Sequence, residues 1–585
     1  MRYEKQILEA YKRIGYSPRD NQVEHINGVL VAFLDEGYKN VVLSAPTGTG
    51  KSIIGAIVAE VVQTIKYPHE NAHASFLLTA TNVLAQQYHD SFVDDSAPED
   101  EGFHIIKGAS NYECSALSSP EEPQTAENCA IGLFRKSGMD DMIQSNCNQC
   151  KYQHARTMKT KARQLITNYS YYFVDRMYSQ APMPKVAIAV FDEAHLLNDL
   201  FTEHNAIYFS EKRLKTMAEE VSSELSLGNS NVFKQLKMVR EHLIAGKIND
   251  DNYETYLKVL LETYNEISAS AKADADRNVR SPTKYLKLNK LHKKYFGLGC
   301  KIDDLFLFDY PSVFEFKEKD PKKGQNENEI SVKPIFIGEM FEALDNADHN
   351  LLMSATISEL YAKRTMSLPG TTKHIRLPPQ FPKENKKVIF FKPQALNYNS
   401  MKDPATIKKL CATTYQIVEH HTKLGERGII LAPSFAIVQS LAETLRTMRG
   451  GYKVFEHERG QKLADLLEMF KAYQGGPAIL LTPSGFEGLD LPGDLSRYQI
   501  IVKAPYASLG DKRIKVILDT YPDIYSLTTL MKITQGAGRS VRSFDDYATT
   551  YCLDTGIQRL WTAKNNEWAD EFQTSFTSSL TPEDD

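Results

Sequence analysis

No apolar run in this 585-residue chain approaches the roughly 18 residues that a membrane-crossing helix needs, so no membrane partner is expected. The opening residues, Met1-Arg2-Tyr3-Glu4-Lys5, lead into no apolar segment, which predicts no secretory signal. An excess of basic charge is missing too. A net charge of −5 does not suit a protein that coats nucleic acid nonspecifically, but it leaves room for a motor that confines its basic residues to one groove. Cysteine is scarce and odd in number, at seven, with four residues clustered. That usage fits a reduced, cytoplasmic chain with a metal site better than a disulfide framework. No internal repeat of short period is visible. What remains, 42% hydrophobic and 24% charged residues, is the make-up of an ordinary globular protein. The length predicts about four domains at roughly 150 residues each.

Three features stand in order in the first third of the chain. The first is Ala45-Pro46-Thr47-Gly48-Thr49-Gly50-Lys51-Ser52, between an apolar strand at Val41-Val42-Leu43 and an Ala/Ile/Val-rich helix from Ile53 to Val62. Strand, glycine loop and helix form the context a phosphate-binding loop requires. Gly48 and Gly50 let successive N–H groups face one phosphate, with the helix N-terminus adding its partial positive charge. Lys51 is expected on the β- and γ-phosphates of ATP and Ser52 on Mg²⁺. The second feature is the acid pair of Asp192-Glu193-Ala194-His195, at the end of the strand Val186–Phe191. Asp192 is placed to hold the Mg²⁺ and Glu193 to orient the attacking water.

Between these lie Cys114, Cys129, Cys147 and Cys150. Their spacing has one tight pair, where zinc ribbons usually have two, and iron–sulfur clusters take four thiolates at irregular spacing. Zinc, an iron–sulfur cluster and no metal all stay open on spacing. His104 and His154 are nearby alternative ligands. Cys300, Cys411 and Cys552 are scattered and read as small buried hydrophobes.

Further strands at Ser75–Leu78, Asn350–Met353, Gly428–Leu431, Ala478–Leu481 and Gln499–Val502 alternate with helices, implying parallel sheets with the chemistry at their carboxyl ends. Residues 205–335 read as helical and charged, without β-alternation. Within them Tyr285, Leu288, Leu291 and Tyr295 fall at helical spacing, with Lys287, Lys290, Lys293 and Lys294 projecting elsewhere. That basic face suits single-stranded DNA or plain solvation. Tyr169, Tyr171, Tyr172 and Phe173 suit base stacking or a sheet core. Leu377–Pro382 reads as a linker. Phe486–Gly493, with Gly488 and Asp490, follows a strand where a loop can face nucleotide and track. Gln535-Gly536-Ala537-Gly538-Arg539-Ser540-Val541-Arg542 sets two arginines three apart, which puts them on one helical face. Such arginines either stabilise charge on the γ-phosphate from a second domain or form structural ion pairs. The tail, 576–585, reads as disordered.

These motifs carry a resemblance. APTGTGKS (45–52), TATN (79–82), KGASNYEC (107–114), NYSYYF (168–173), DEAH (192–195), MSAT (353–356), FEGLDLPGD (486–494) and QGAGRSVR (535–542) resemble, in order, those of the XPD/DinG family of iron–sulfur superfamily 2 DNA helicases. The resemblance implies an α/β fold of two RecA-like motor domains. The first is built from 1–102, 161–204 and 336–376, and the second from 377–585. An iron–sulfur domain (103–160) and a helical arch (205–335) are inserted into the first. It implies ATP, Mg²⁺ and a [4Fe–4S] cluster on Cys114, Cys129, Cys147 and Cys150, with Arg19 and Gln22 on the adenine side. Catalytic roles are implied for Lys51, Asp192, Glu193, Gln535, Arg539 and Arg542. The implied activity is 5′→3′ unwinding on single-stranded and forked DNA by a monomer, with unidentified replication or repair proteins as candidate partners; the residues alone leave open an RNA or hybrid helicase, a protein-displacing translocase, or a nucleic-acid-binding scaffold switched by ATP. Two departures stand out: a short arch with no nuclease domain before the motor, and Tyr547 after Asp545-Asp546 where the family often has glycine.

Overall fold

A computed structural model of the chain describes residues 1–19, 21–67, 75–92, 102–114, 124–129, 147–179, 182–225, 231–278, 280–308, 310–321, 324–448, 450–485, 491–538, 540–541, 543–564 and 566–580. Seventeen strands are described, in three sheets. In chain order they are β1 (Asn40–Ser44), β2 (Ser75–Thr79), β3 (Phe103–Ile105), β4 (Gln164–Asn168), β5 (Val186–Asp192), β6 (Ile207–Ser210), β7 (Ser312–Lys317), β8 (Glu329–Pro334), β9 (Ala347–Ser354) and β10 (Lys373–Arg376). They continue with β11 (Lys386–Gln394), β12 (Gly428–Leu431), β13 (Lys453–Glu456), β14 (Ala478–Thr482), β15 (Tyr498–Ile501), β16 (Ala548–Asp554) and β17 (Gln573–Thr577).

The first large sheet has the order β10-β1-β9-β5-β2-β4-β3 and the second β13-β14-β12-β15-β16-β11-β17. Every pairing in both is parallel. Helices cover both faces, so inner strands such as β1 and β5 are buried along their whole length. That double burial is why they read as unbroken apolar runs. The order β1-β9-β5 matters most for function. Ser44 pairs with Ser354 and Asp192 with Met353, which lines up three strand ends at one edge. Gly55, on the helix Lys51–Lys66, lets that helix lie close on the sheet: a Cβ there would meet Met353 at 2.7 Å and Val190 at 2.9 Å.

Four expectations are corrected. Residues 205–335 are not without β structure, because β6, β8 and β7 form an antiparallel sheet. Strands β7 and β8 lie beyond the long helices that dominate the segment's composition. Residues 103–105 do not belong to the insertion; as β3 they pair with β4 at the edge of the first sheet. The tail is not wholly irregular. β17 pairs with β11, and Phe576 stacks on Phe390 with ring centroids 5.0 Å apart. Residues 581–585 lie outside the described residues. Finally, Cys300 is half-buried, whereas Cys411 and Cys552 are buried.

The long helices Tyr253–Arg277 and Pro282–Phe308 pack together through Leu257, Leu260, Tyr264 and Ile267 on one and Leu288, Leu291, Tyr295 and Ile302 on the other. Two lysines of the second helix are engaged: Lys294 pairs with Glu220 at 2.5 Å, and Lys293 donates to the Glu127 carbonyl, beside Cys129, at 3.1 Å. The antiparallel sheet is tied to the second motor half. Lys333 on β8 pairs with Asp511 at 2.7 Å. Arg513, only 9% exposed, donates twice to the Ile335 carbonyl, at 2.8 and 3.1 Å. Among the described residues no helix is long and apolar enough to cross a membrane.

Candidate nucleotide site

The glycine loop leaves β1 and enters the helix Lys51–Lys66 through two left-handed residues, Gly48 at φ +87° and Gly50 at φ +75°. Both conformations suit glycine, since a Cβ is disfavoured there. The loop is anchored at both ends: the Ala45 N–H donates to the Ser354 carbonyl at 2.9 Å and the Thr49 hydroxyl to the Pro46 carbonyl at 2.9 Å. Phe381, from the linker between the motor halves, lies directly on Gly48; a Cβ on that glycine would sit 2.3 Å from the ring. Gln22 reaches the loop through its amide, donating to the Thr49 carbonyl at 2.9 Å, and Arg19 donates to the Gly48 carbonyl at 3.5 Å. Thr47 touches the second half, with its hydroxyl 3.5 Å from the Gly538 carbonyl.

Across from the loop, Asp192 is 6% exposed at the end of β5. Its Oδ2 accepts from the Tyr88 hydroxyl at 2.7 Å, and its backbone carbonyl from Tyr169 at 2.5 Å. Ser52 hydrogen-bonds the same Tyr88 hydroxyl, so Ser52 and Asp192 share one neighbour. Burial, reinforced by the Glu193 charge, pushes the Asp192 carboxyl up to about 6, while the Lys51 ammonium opposes that rise. Its Oδ1 is buried without a hydrogen-bond partner. A buried carboxylate oxygen without a donor, beside a serine hydroxyl and a lysine, fits a hard divalent cation with oxygen ligands. Glu193 has φ +53°, a left-handed conformation for a non-glycine residue. Such strain, on the order of 1–3 kcal/mol, clusters where side-chain aim matters.

A polar chain joins the two halves at this edge. His195 Nδ1 lies 2.8 Å from Ser354 Oγ and 3.3 Å from Glu193 Oε2. Gln535, on the helix Pro522–Ala537 of the second half, sets its Nε2 2.8 Å from His195 Nε2 and donates to the Thr356 hydroxyl at 2.9 Å.

Other expected residues fall differently. The helix that carries Gln535 is Pro522–Ala537. Arg539, Arg542, Gly488 and Asp490 lie outside the described residues. Tyr169, Tyr172 and Phe173 are buried in the core and do not form a base-stacking surface. Tyr547 is accommodated by packing under Arg497, 4.4 Å from its guanidinium, and by donating to Glu426 at 2.8 Å. The sequence reading missed Tyr88 and Phe381, whose roles exist only through contacts distant in the chain; nothing local marks them.

The four clustered cysteines are not in disulfides. Cys114 is buried and the other three are half-buried. The Cys114 N–H donates to the Gln124 carbonyl, Cys150 to Cys147, and Gln153 donates to Cys129 Sγ at 3.2 Å. Four cysteine side chains suit a thiolate-bound metal group chemically. Among the described residues, however, no three metal-ligating side chains are gathered at one point.

Comparison with known proteins follows the same lines. Residues 15–228 match the family described as type III restriction enzyme, res subunit, and residues 417–573 match the helicase C-terminal domain. The ATP-dependent DNA helicase YoaA of Escherichia coli is 20% identical over 93% of this chain and 92% of its own length. The probable ATP-dependent helicase MJ0942 of Methanocaldococcus jannaschii is 20% identical over 88% of each. A solved XPD helicase superposes with a TM-score of 0.60 at 16% identity, covering 96% of this chain and all of that one. S. tokodaii Xpd4 gives 0.55 at 16%, covering 95% and 100%. Two parallel sheets and a nucleotide loop facing an acid pair give the chain the fold of the solved XPD helicases, and its sequence is similar to ATP-dependent DNA helicases along most of its length.

Proposed function

We propose that the protein is an ATP-driven DNA helicase that moves 5′→3′ on single-stranded DNA and opens duplexes. The observation that carries this reading is Gln535, which reaches from one motor half to His195 and Thr356 of the other. A nucleotide site that spans two bodies can turn hydrolysis into their relative movement, and a purely static nucleotide site has no use for that link.

Lys51 neutralises the β- and γ-phosphates, and the N–H groups of Gly48 to Ser52 cradle them. Ser52 and Asp192 hold Mg²⁺, which when bound neutralises charge between the phosphates. Glu193 orients the attacking water and accepts its proton. Gln535 holds the His195 ring in place, with its Nδ1 facing Ser354 and Glu193. Arg539 and Arg542 stabilise the charge that develops on the γ-phosphate from the second half. Gly488 and Asp490 contribute to nucleotide binding.

Cys114, Cys129, Cys147 and Cys150 would hold a [4Fe–4S] cluster, which would cross-link the inserted segment through its thiolate bonds. The support is four cysteines close together in sequence, with one tight pair at Cys147 and Cys150. A rigid element at the fork would split the duplex while the motor steps. The domain plan of the sequence reading, with β3 moved to the first motor, goes with this assignment.

Strand displacement on 5′-tailed, 3′-tailed and blunt duplexes tests the reading. ATP-dependent opening of the 5′-tailed substrate is expected. Opening of the 3′-tailed substrate alone would overturn the polarity, and no opening of any would overturn the helicase.

A further inference from the structure

The helix Asn82–Phe92 buries Ala85, Tyr88 and Phe92, whose spacing of three and four residues makes them one face. Of the three, only Tyr88 carries a polar group. It is 5% exposed, and its ring meets Phe92 edge-on with centroids 5.7 Å apart. A phenylalanine would fill the same space, and a buried hydroxyl costs free energy unless it is hydrogen-bonded. What sets the residue apart is where that hydroxyl goes.

Its bonds run to the two groups assigned to Mg²⁺. It lies 2.7 Å from Asp192 Oδ2 and also bonds Ser52. An ionised carboxylate only accepts, so the single phenolic proton goes to Asp192, and Ser52 gives its own proton to the phenolic oxygen. Both lone pairs of the Ser52 oxygen are then left for a cation. Asp192 Oδ2 is tied down, while Oδ1 is buried with no hydrogen-bond partner among the described residues. Tyr169, from a second helix, fixes the main chain of the same residue by donating to the Asp192 carbonyl at 2.5 Å. One hydroxyl thus sets the direction of both ligands, and Mg²⁺ with its near-ideal octahedral geometry depends on such aim.

We infer that Tyr88 is a positioning residue for the Mg²⁺ of the nucleotide site: it orients the Ser52 hydroxyl and the Asp192 carboxylate without touching the ion itself. The inference rests on the nucleotide site proposed above and adds a residue that governs how well that site takes its metal.

The test is calorimetric titration of the full chain by a non-hydrolysable ATP analogue, once with Mg²⁺ and once with EDTA, for the unsubstituted protein and for Tyr88→Phe. Loss of a group that orients a metal ligand typically costs about tenfold to a hundredfold in metal affinity. In EDTA the variant is expected to bind the analogue as the unsubstituted protein does. With Mg²⁺ it is expected to lose about tenfold or more of the strengthening that the ion brings. A hydroxyl that only supports the core would lower the melting midpoint and leave the Mg²⁺ effect whole. That result, or an equal loss with and without Mg²⁺, overturns the inference. Should the variant not fold, fluorotyrosine in place of Tyr88 gives a second reading. Its fluorine resonance is expected to move when Mg²⁺ joins the bound analogue, and a resonance that stays put overturns the inference. Absence of any Mg²⁺ effect on the unsubstituted protein would instead overturn the metal site itself.

Discussion

Glu193 and Gln535 share a site but differ in what their loss should cost. Glu193→Gln keeps the side chain's shape and removes only its ability to take a proton. ATP affinity should stay near its starting value while turnover falls to background, measured as steady-state phosphate release against equilibrium binding. Gln535→Ala should lower kcat roughly tenfold to a hundredfold with little change in ATP affinity. It leaves His195 Nε2 and the Thr356 hydroxyl without their partner, a loss of about 1–3 kcal/mol. If instead affinity fell and kcat held, the link between halves would be serving binding and not turnover. Most of these residues were legible, because loop, acid pair and glutamine motif each sit in a short local pattern. Tyr88 was not. It donates to Asp192 from a helix 104 positions away, and no spacing rule carries that distance.

At the scale of elements, strands were easier to read than insertions. β1, β5 and β12 announce themselves because burial on both faces demands continuous apolar sequence. β7 and β8 did not: Ser312–Lys317 and Glu329–Pro334 mix charge with apolar residues, as strands with one wetter face do. The helix Lys51–Lys66 shows how tightly one element is set on the next. Gly55→Val should destabilise the first motor half by about 1–3 kcal/mol, since the added atoms would overlap Met353 and Val190. A thermal unfolding midpoint unchanged from wild type would contradict that packing. For the cysteine segment, protein purified without oxygen should contain about four irons per chain, as a four-thiolate cluster requires. Serine at any one of Cys114, Cys129, Cys147 or Cys150 should lose them. One zinc and no iron would replace the assignment.

Acid should act on the molecule through buried histidines. His349 lies in β9 against Phe33, ring centroids 4.8 Å apart, and its Nδ1 donates to the Tyr38 carbonyl at 3.0 Å. Burial, aided by the Lys66 charge, holds its pKa down at about 4. A histidine depressed in the fold favours the neutral ring. Its contribution is therefore complete above the unfolded value of about 6.5 and drains away as pH falls towards 4, by at most about 3 kcal/mol. Melting midpoints followed from pH 7 to 4.5 should decline, and His349→Gln should make that decline shallower. An equal slope in both proteins would assign the acid sensitivity elsewhere, His204 being the next group with the same depression.

The ties from Lys333 to Asp511 and from Arg513 to the Ile335 carbonyl have a kinematic consequence. The linker, with Phe381 seated on Gly48, is one joint between the motor halves, and the Arg513 contact is a second, far from it in sequence. Two bodies pinned at one point can swing in any direction; pinned at two, they keep a single degree of freedom, rotation about the line through both pins. Were the contacts of Gln535 with His195 and Thr356 and of Thr47 with Gly538 to release while these two held, the halves would turn like a door on two hinges, and the antiparallel sheet, bolted to the second, would be carried through the same arc.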